Sequence, residues 1–229
     1  MQGRCRVMTA LFVTATGTGI GKTLVTCLLV RQLRTAGRRV RALKPVATGY
    51  TAETATDSDS AQILAALGEP PTDANIGAIS PWRFAAPLSP DMAAEREGRT
   101  LDVAGIAAFC RAAGAPRTIL LIEGIGGVMV PLAGGQTVRD LIAAIGCPAL
   151  LVVGSYLGTL SHTLTAVEAL AGRGIPLAGI VVSESPESPV PLAETVATVR
   201  RLVAPAPVTG LPRQAPGSAA PDLVGFLRL

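Results

Sequence analysis

The chain has 229 residues, 49% hydrophobic and 16% charged, with a net charge of +4. That composition excludes a disordered chain, suits one α/β domain with a sizeable core, and is too mildly basic to imply a nucleic-acid partner. No apolar run reaches the roughly 18–20 residues of a membrane span, and the four cysteines (Cys5, Cys27, Cys110, Cys147) are scattered without C-x-x-C spacing, which argues against zinc or a disulfide framework and for a reducing cytoplasm.

In chain order, residues 1–7 read as a leader, with Met8 as an alternative start, and residues 8–229 as a single P-loop-type nucleotide-binding domain. An apolar, β-branched strand over Thr9–Thr14 breaks into Ala15-Thr16-Gly17-Thr18-Gly19-Ile20-Gly21-Lys22-Thr23. Leu24, Leu28, Leu29 and Leu33 then give a helix over Gly21–Ala36, ended by Gly37. Strand, glycine loop and helix N-terminus together make a phosphate cradle. Backbone N–H groups of Gly19, Ile20 and Gly21 converge on the oxygens, and the helix dipole favours their charge. Lys22 reaches the terminal phosphates and the Thr23 hydroxyl ligates Mg²⁺. The spacing departs from the standard Walker A, with Thr16 near the position of the first glycine. Arg31, Arg34, Arg38, Arg39 and Arg41 cluster at the end of this helix, and with no aromatic residue among them they read as a solvated helix end.

Val40–Leu43 reads as a second strand, running into Lys44-Pro45-Val46-Ala47-Thr48-Gly49. Of 20 basic residues only Lys22 and Lys44 are lysines. Chance is one reading; the other is that lysine is kept where a compact, mobile ammonium is needed. Asp57, Ser58 and Asp59 lead into a helix over Ser60–Leu67. Asp57 or Ser58 suits the N-cap, and Asp59 suits either the helix dipole or a metal. Pro70–Pro90 reads as irregular, a substrate-binding loop or a connector, and a helix follows at Val103–Ala113. The buried strand Ile119–Ile122 ends in Glu123-Gly124-Ile125-Gly126-Gly127, an acid at the position of a Walker-B carboxylate followed by glycines that let backbone approach a ligand.

A helix at Val138–Ile145 and a strand at Ala149–Val153 precede Gly158 and Thr159, which open a helix to about Ala171 as a second anion-binding terminus, here without a lysine. His162, the only histidine, reads as packing in preference to catalysis. Strand Ala178–Val182, helix Leu192–Val203 and strand Pro207–Thr209 complete the alternation, with Pro186–Pro191 and Ala204–Pro221 as connectors. The residues alone therefore describe an α/β chain: a P-loop NTPase-like parallel sheet with helices on both faces, housing an Mg²⁺-dependent nucleotide enzyme or switch.

These motifs, in this order, resemble the dethiobiotin synthetase family over about Met8–Pro212. The family loop G-T-x-T-x-V-G-K-T matches Ala15 to Thr23, K-P-V-x-[ST]-G matches Lys44 to Gly49, and S-D matches Ser58-Asp59. E-G-x-G-G matches Glu123 to Gly127, and G-T-x-x-H matches Gly158 to His162. The resemblance implies a ligase that uses ATP and CO₂ to close 7,8-diaminononanoate into a cyclic urea, through a carbamate and its mixed anhydride with phosphate. By the same resemblance, Lys22, Lys44 and Thr18 are catalytic, with Thr18 and Lys44 on the carbamate. Thr23, Asp59 and Glu123 hold Mg²⁺. Thr48, Ser89 and Gly126 line the substrate pocket. Family members are homodimers, so Gly158, Thr159, Leu160 and Ser161 are expected to hold the substrate carboxylate of the neighbouring protomer.

Three positions depart from the family: Ala15 for the first loop glycine, Ile125 for an alanine, and Ser183 for an asparagine that contacts adenine. Serine lacks the amide's paired donor and acceptor, so relaxed base choice among ATP, CTP and GTP is expected, with Gly210, Leu211 and Pro212 as further base contacts. A partition or site-selection switch ATPase is the rival reading. Such proteins carry K-G-G-x-G-K-T, however, and the signature lysine position is Gly17 here. A GTPase would need N-K-x-D, and a glutaminase-coupled ligase a Cys–His pair; neither is available.

Overall fold

The computed structural model describes residues 10–213 and 220–229. The expected leader at 1–7, together with Cys5, Met8 and Thr9, lies outside the described residues. The first half of the chain contains β1 (Ala10–Ala15), α1 (Lys22–Thr35), β2 (Arg39–Leu43), β3 (Val46–Thr48), α2 (Asp59–Leu67), α3 (Asp73–Ile79) and β4 (Trp82–Phe84). Next come α4 (Pro90–Arg96), α5 (Val103–Ala112), β5 (Thr118–Glu123), β6 (Pro131–Ala133), β7 (Gln136–Thr137) and α6 (Val138–Ile145). The remainder is β8 (Ala149–Val153), α7 (Thr159–Ala171), β9 (Leu177–Ser183), α8 (Leu192–Leu202), β10 (Val208–Leu211) and α9 (Leu223–Leu227).

Six strands form one parallel sheet in the order β10-β9-β8-β1-β5-β2. The three central strands are continuous apolar runs, and all of β8 and all but the first residue of β1 and β5 are buried. Strands of that kind must be covered on both faces, which the intervening helices do. The register sets the site. Val13 of β1 pairs with Glu123 of β5, and Leu43 of β2 pairs with Ile122. The loops after these three neighbouring strands therefore leave the sheet at one level, at its C-terminal edge.

Local chemistry explains the boundaries near that edge. Gly21 holds φ at 101° as the N-cap of α1, a conformation costly for any residue with a Cβ. Ser58 caps α2, its Oγ accepting from the Ala61 N–H at 3.2 Å, which resolves the choice between Asp57 and Ser58. Thr137 and Asp140 form a capping box at α6.

The expectation of an irregular Pro70–Pro90 is corrected. Thr72 caps α3 by accepting from Asn75 N–H at 3.2 Å, β4 pairs in parallel with β3, and Pro90 opens α4. Elements of three to seven residues carry too little periodicity to outweigh a Pro-rich composition. The C-terminal α9 was not foreseen either. Gln32 of α1 holds its start, donating to Pro221 O at 2.8 Å and accepting from Leu223 N–H at 2.9 Å. In the basic cluster, Arg34, Arg38 and Arg41 donate to the carbonyls of Ala66, Leu229 and Ala113. These arginines close the ends of neighbouring segments.

Candidate active site

The loop 16–21, β3, the turn before α2, the 87–90 segment and the glycines after β5 enclose a cleft of about 950 Å³. It is lined by Thr18, Gly19, Gly21, Lys22, Thr23, Lys44, Thr48, Asp59, Ser89 and Gly126, among others. Nine residues expected from four separated motifs, together with Ser89, thus meet in one cavity.

At its floor, the Lys44 ammonium donates to Glu123 Oε1 at 2.7 Å, Asp59 Oδ2 at 2.7 Å and the Gly124 carbonyl at 3.0 Å. All three of its protons are thereby directed. The Thr23 hydroxyl lies 2.9 Å from both Asp59 Oδ1 and Glu123 Oε1, with one proton to offer the two. Glu123 is wholly buried, and its Oε2 has no hydrogen-bond partner among the described residues. Burial alone would push the Lys44 ammonium down, but the charges of Glu123 and Asp59 and their hydrogen bonds outweigh it, so its pKa stands above the ordinary lysine value. Burial likewise works against the Asp59 carboxylate, and Lys44 overcomes it, so Asp59 stays below the usual carboxylate range. Asp59, and not Asp57, is the acid that reaches Thr23 and Lys44.

Lys22 behaves differently. It is buried, donates to Gly17 O at 3.1 Å, and has its pKa lowered to about 8, first by burial and then by the like charge of Lys44. A loop lysine held this way is short of countercharge, which a phosphate would supply.

The glycines are used for space. A Cβ on Gly124 would meet the Phe12 ring at 2.7 Å, and one on Gly127 would meet the Thr16 carbonyl at 3.0 Å. The β5 exit can lie against the phosphate loop only without those side chains. The bonds Gly124 N–H to Val13 O (2.9 Å) and Val128 N–H to Ala15 O (3.0 Å) fix the contact.

A family model described as an AAA domain matches residues 9–213. The chain is 52% identical to the ATP-dependent dethiobiotin synthetase BioD of Methylobacterium nodulans, over 83% of this chain and 87% of that protein. It is 47% identical to the protein of the same name from Acidiphilium cryptum, over 82% of this chain and 85% of that protein. The chain belongs to the dethiobiotin synthetase family. It is accordingly an enzyme of the ligase class. Among solved structures, chloroplast FtsY from Physcomitrella patens matches with a TM-score of 0.51 at 16% identity, over 96% of this chain and 64% of that one, a likeness of fold alone.

Against the dethiobiotin synthetase pattern, some expected residues lie outside the cleft. Gly158, Thr159 and Leu160 line a second cavity of about 430 Å³ with Tyr156, Val190 and Thr195, and Ser161 follows on the same helix turn. The Thr159 hydroxyl is spent on the Gly154 carbonyl at 2.7 Å, so an anion there would meet the backbone N–H groups of Leu160 and Ser161, which have no intrahelical acceptor. His162 is exposed, its Nδ1 2.9 Å from the Tyr156 hydroxyl, a surface pair in place of the expected packing. Ile20, Ser183, Gly210, Leu211 and Pro212 are not part of the cleft lining. A Cβ on Gly21 would lie 2.8 Å from Ser183 Oγ, so this serine packs on the phosphate loop, while Leu211 is buried in the sheet. Two buried hydroxyls were missed altogether: Ser80 donates to the Lys44 carbonyl and Ser60 bonds to Ser80, and serines in a helix turn and a helix end carry no motif.

Proposed function

We propose that the chain joins CO₂ to 7,8-diaminononanoate and closes the ring to dethiobiotin, with ATP converted to ADP and phosphate, as a step of biotin biosynthesis in the cytoplasm. The observation that carries this reading is the meeting of both lysines of the chain with Thr23 and Asp59 in one cleft that also contains Thr18, Thr48 and Ser89, with the buried Glu123 bonded to Thr23 and Lys44. One substrate amine attacks CO₂ and loses a proton to give a carbamate. A carbamate oxygen then takes the γ-phosphoryl group as ADP leaves. The second amine attacks the carbamoyl carbon and expels phosphate.

Phosphoryl transfer is served by positioning and charge neutralisation more than by covalent help. Lys22 and the loop N–H groups hold the phosphates. Thr18 and Lys44 hold the carbamate oxygens, the ammonium exchanging its 3.0 Å bond to the Gly124 carbonyl for the substrate and following the charge as it moves to the phosphate. Thr48 and Ser89 orient the amines, and Gly126, with φ at 57°, lets backbone reach the substrate. Mg²⁺ fits the residues: an all-oxygen set of Thr23, Asp59 and Glu123, with Glu123 Oε2 unpartnered and buried. When bound it would neutralise the phosphate oxygens. Among the described residues no three or more His, Cys, Asp and Glu side chains converge on a metal site.

The chain acts as a homodimer in this reading, with Gly158–Ser161 of one protomer binding the substrate carboxylate held by the other. Leu157 is 89% exposed beside that helix start, with Leu160, Leu164 and Val190 also exposed around it, the kind of patch a partner covers. No helix among the described residues is long and apolar enough to cross a membrane. With Ser183 in place of an amide, CTP and GTP serve beside ATP; values of kcat/KM about a hundredfold below ATP would refute that point. Phosphate release from MgATP with and without diamine and bicarbonate, with dethiobiotin followed by mass spectrometry, tests the whole. Diamine-dependent release matched one-to-one by product is expected, and slow hydrolysis indifferent to the diamine would overturn the reading.

A further inference from the structure

The Lys44 side chain is held by acids, but its backbone is held by something else. At Lys44 the chain has left β2, whose pairing with β5 ends at Leu43. Its carbonyl is buried, and the next residue is Pro45. Such a carbonyl needs a donor. Ser80, at the end of α3, supplies it: Ser80 Oγ donates to Lys44 O at 2.5 Å. That spends the only proton of Ser80, so in the second contact, at 2.6 Å, Ser60 Oγ donates to Ser80 Oγ. Both serines are 0% exposed. The Lys44 N–H donates to the Ile79 carbonyl at 3.1 Å, so both backbone groups of the lysine are tied to the end of α3.

Ser60 is the residue after Asp59, which accepts from the Lys44 ammonium. The contacts form a closed circuit: Lys44 Nζ to Asp59, along one peptide to Ser60, through Ser80, and back to the Lys44 carbonyl. A lysine has four rotatable side-chain bonds, and an ammonium held only at its tip would let the stem and backbone drift. Here root and tip are referred to the same turn of α2.

We propose that Ser60 and Ser80 are positioning residues for Lys44, acting through a buried hydroxyl chain; the proposal rests on the reading of Lys44 as the carbamate-binding lysine. Neither serine lines the cleft. Removing the donor on the Lys44 carbonyl loosens the placement of the ammonium, and misplacement of a catalytic group by about an ångström costs up to about a hundredfold in rate.

The test compares the full-length parent with Ser80→Ala, Ser80→Cys and Ser60→Ala by steady-state ligation, normalised to ATP-binding sites counted by equilibrium dialysis. In Ser80→Ala, kcat is expected to fall about ten- to a hundredfold while KM for ATP stays within about twofold. Ser80→Cys keeps the shape but offers only a weak donor, and is expected to follow alanine. Ser60→Ala falls less, since it leaves the donor on Lys44 in place, and serves if the Ser80 variants fold poorly. Wild-type kcat per site in Ser80→Cys or in Ser60→Ala would overturn the proposal, as would a parallel loss of ATP binding. If the parent itself shows no diamine-dependent product, the function reading fails; if the parent works and the serine variants work equally well, only this inference fails.

Discussion

Replacing Lys44 by methionine removes one charge and almost no volume, and the structure says where the cost falls. The side chain of Lys44 is 4% exposed and faces two carboxylates of unequal burial, Asp59 at 47% and Glu123 at 0%. The Asp59 contact is half open to water and contributes less than about 1 kcal/mol. The Glu123 contact dominates, because removing one partner of a buried pair leaves an uncompensated charge, at about 3–5 kcal/mol. Lys44→Met should therefore cost about 3–5 kcal/mol in urea unfolding, a large share of the roughly 5–15 kcal/mol typical of a domain. Glu123→Gln placed on top of Lys44→Met should restore most of the loss, because the charge left alone is then gone. Added Mn²⁺ should raise the melting temperature of Lys44→Met more than that of the parent, since the cation can take over as countercharge. A loss below about 1 kcal/mol, or no recovery on adding Glu123→Gln, would show that the ammonium is not the partner holding Glu123 in place.

Other outcomes follow from other parts of the molecule. Burial lifts the thiol of Cys110 to about 12 and those of Cys27 and Cys147 to about 11, so these three should resist an aromatic disulfide reagent at about pH 8 and react together once urea unfolds the chain. Their rapid modification in the folded protein would contradict the buried placement. Gln32→Leu removes the amide that holds the start of α9 and should cost about 1–3 kcal/mol in urea unfolding; an unchanged midpoint would mean the C-terminal segment docks without it. In the proposed homodimer, Leu157→Asp should halve the mass measured by light scattering and abolish product formation while ATP binding persists. A variant that stays dimeric and active would remove this leucine from the interface.

The phosphate loop, Lys44 and Glu123 could be read from the chain because each combines local backbone demands with chemistry that few residues supply. A strand, a glycine at positive φ and a helix start are properties of neighbouring residues, and so is an acid closing an apolar strand. The long alternating elements were legible for the same reason, since their periodicity extends over several turns or pairs. The α3–β4 stretch was not legible, because elements of three to seven residues are stabilised by partners distant in sequence. Sequence alone offers Asp59 equally to the helix dipole and to a metal; only the folded chain shows Ser58 as the cap and Asp59 accepting from Thr23 and Lys44.

What the sequence by itself determined is the set of chemical groups and the strand ends that carry them: two lysines, two acids, a hydroxyl and two helix N-termini. What only the tertiary structure decided is which of these share a space. The strand order puts β5 between β1 and β2, and the register aligns Val13 with Glu123 and Leu43 with Ile122. That brings Lys44 onto Glu123 across 79 residues of chain, while Gly158–Ser161 begins a helix beyond β8, on the other side of β1. Local sequence can specify a loop or a cap, but adjacency across a parallel sheet is set by how the whole core closes, and that is a property of every buried strand together.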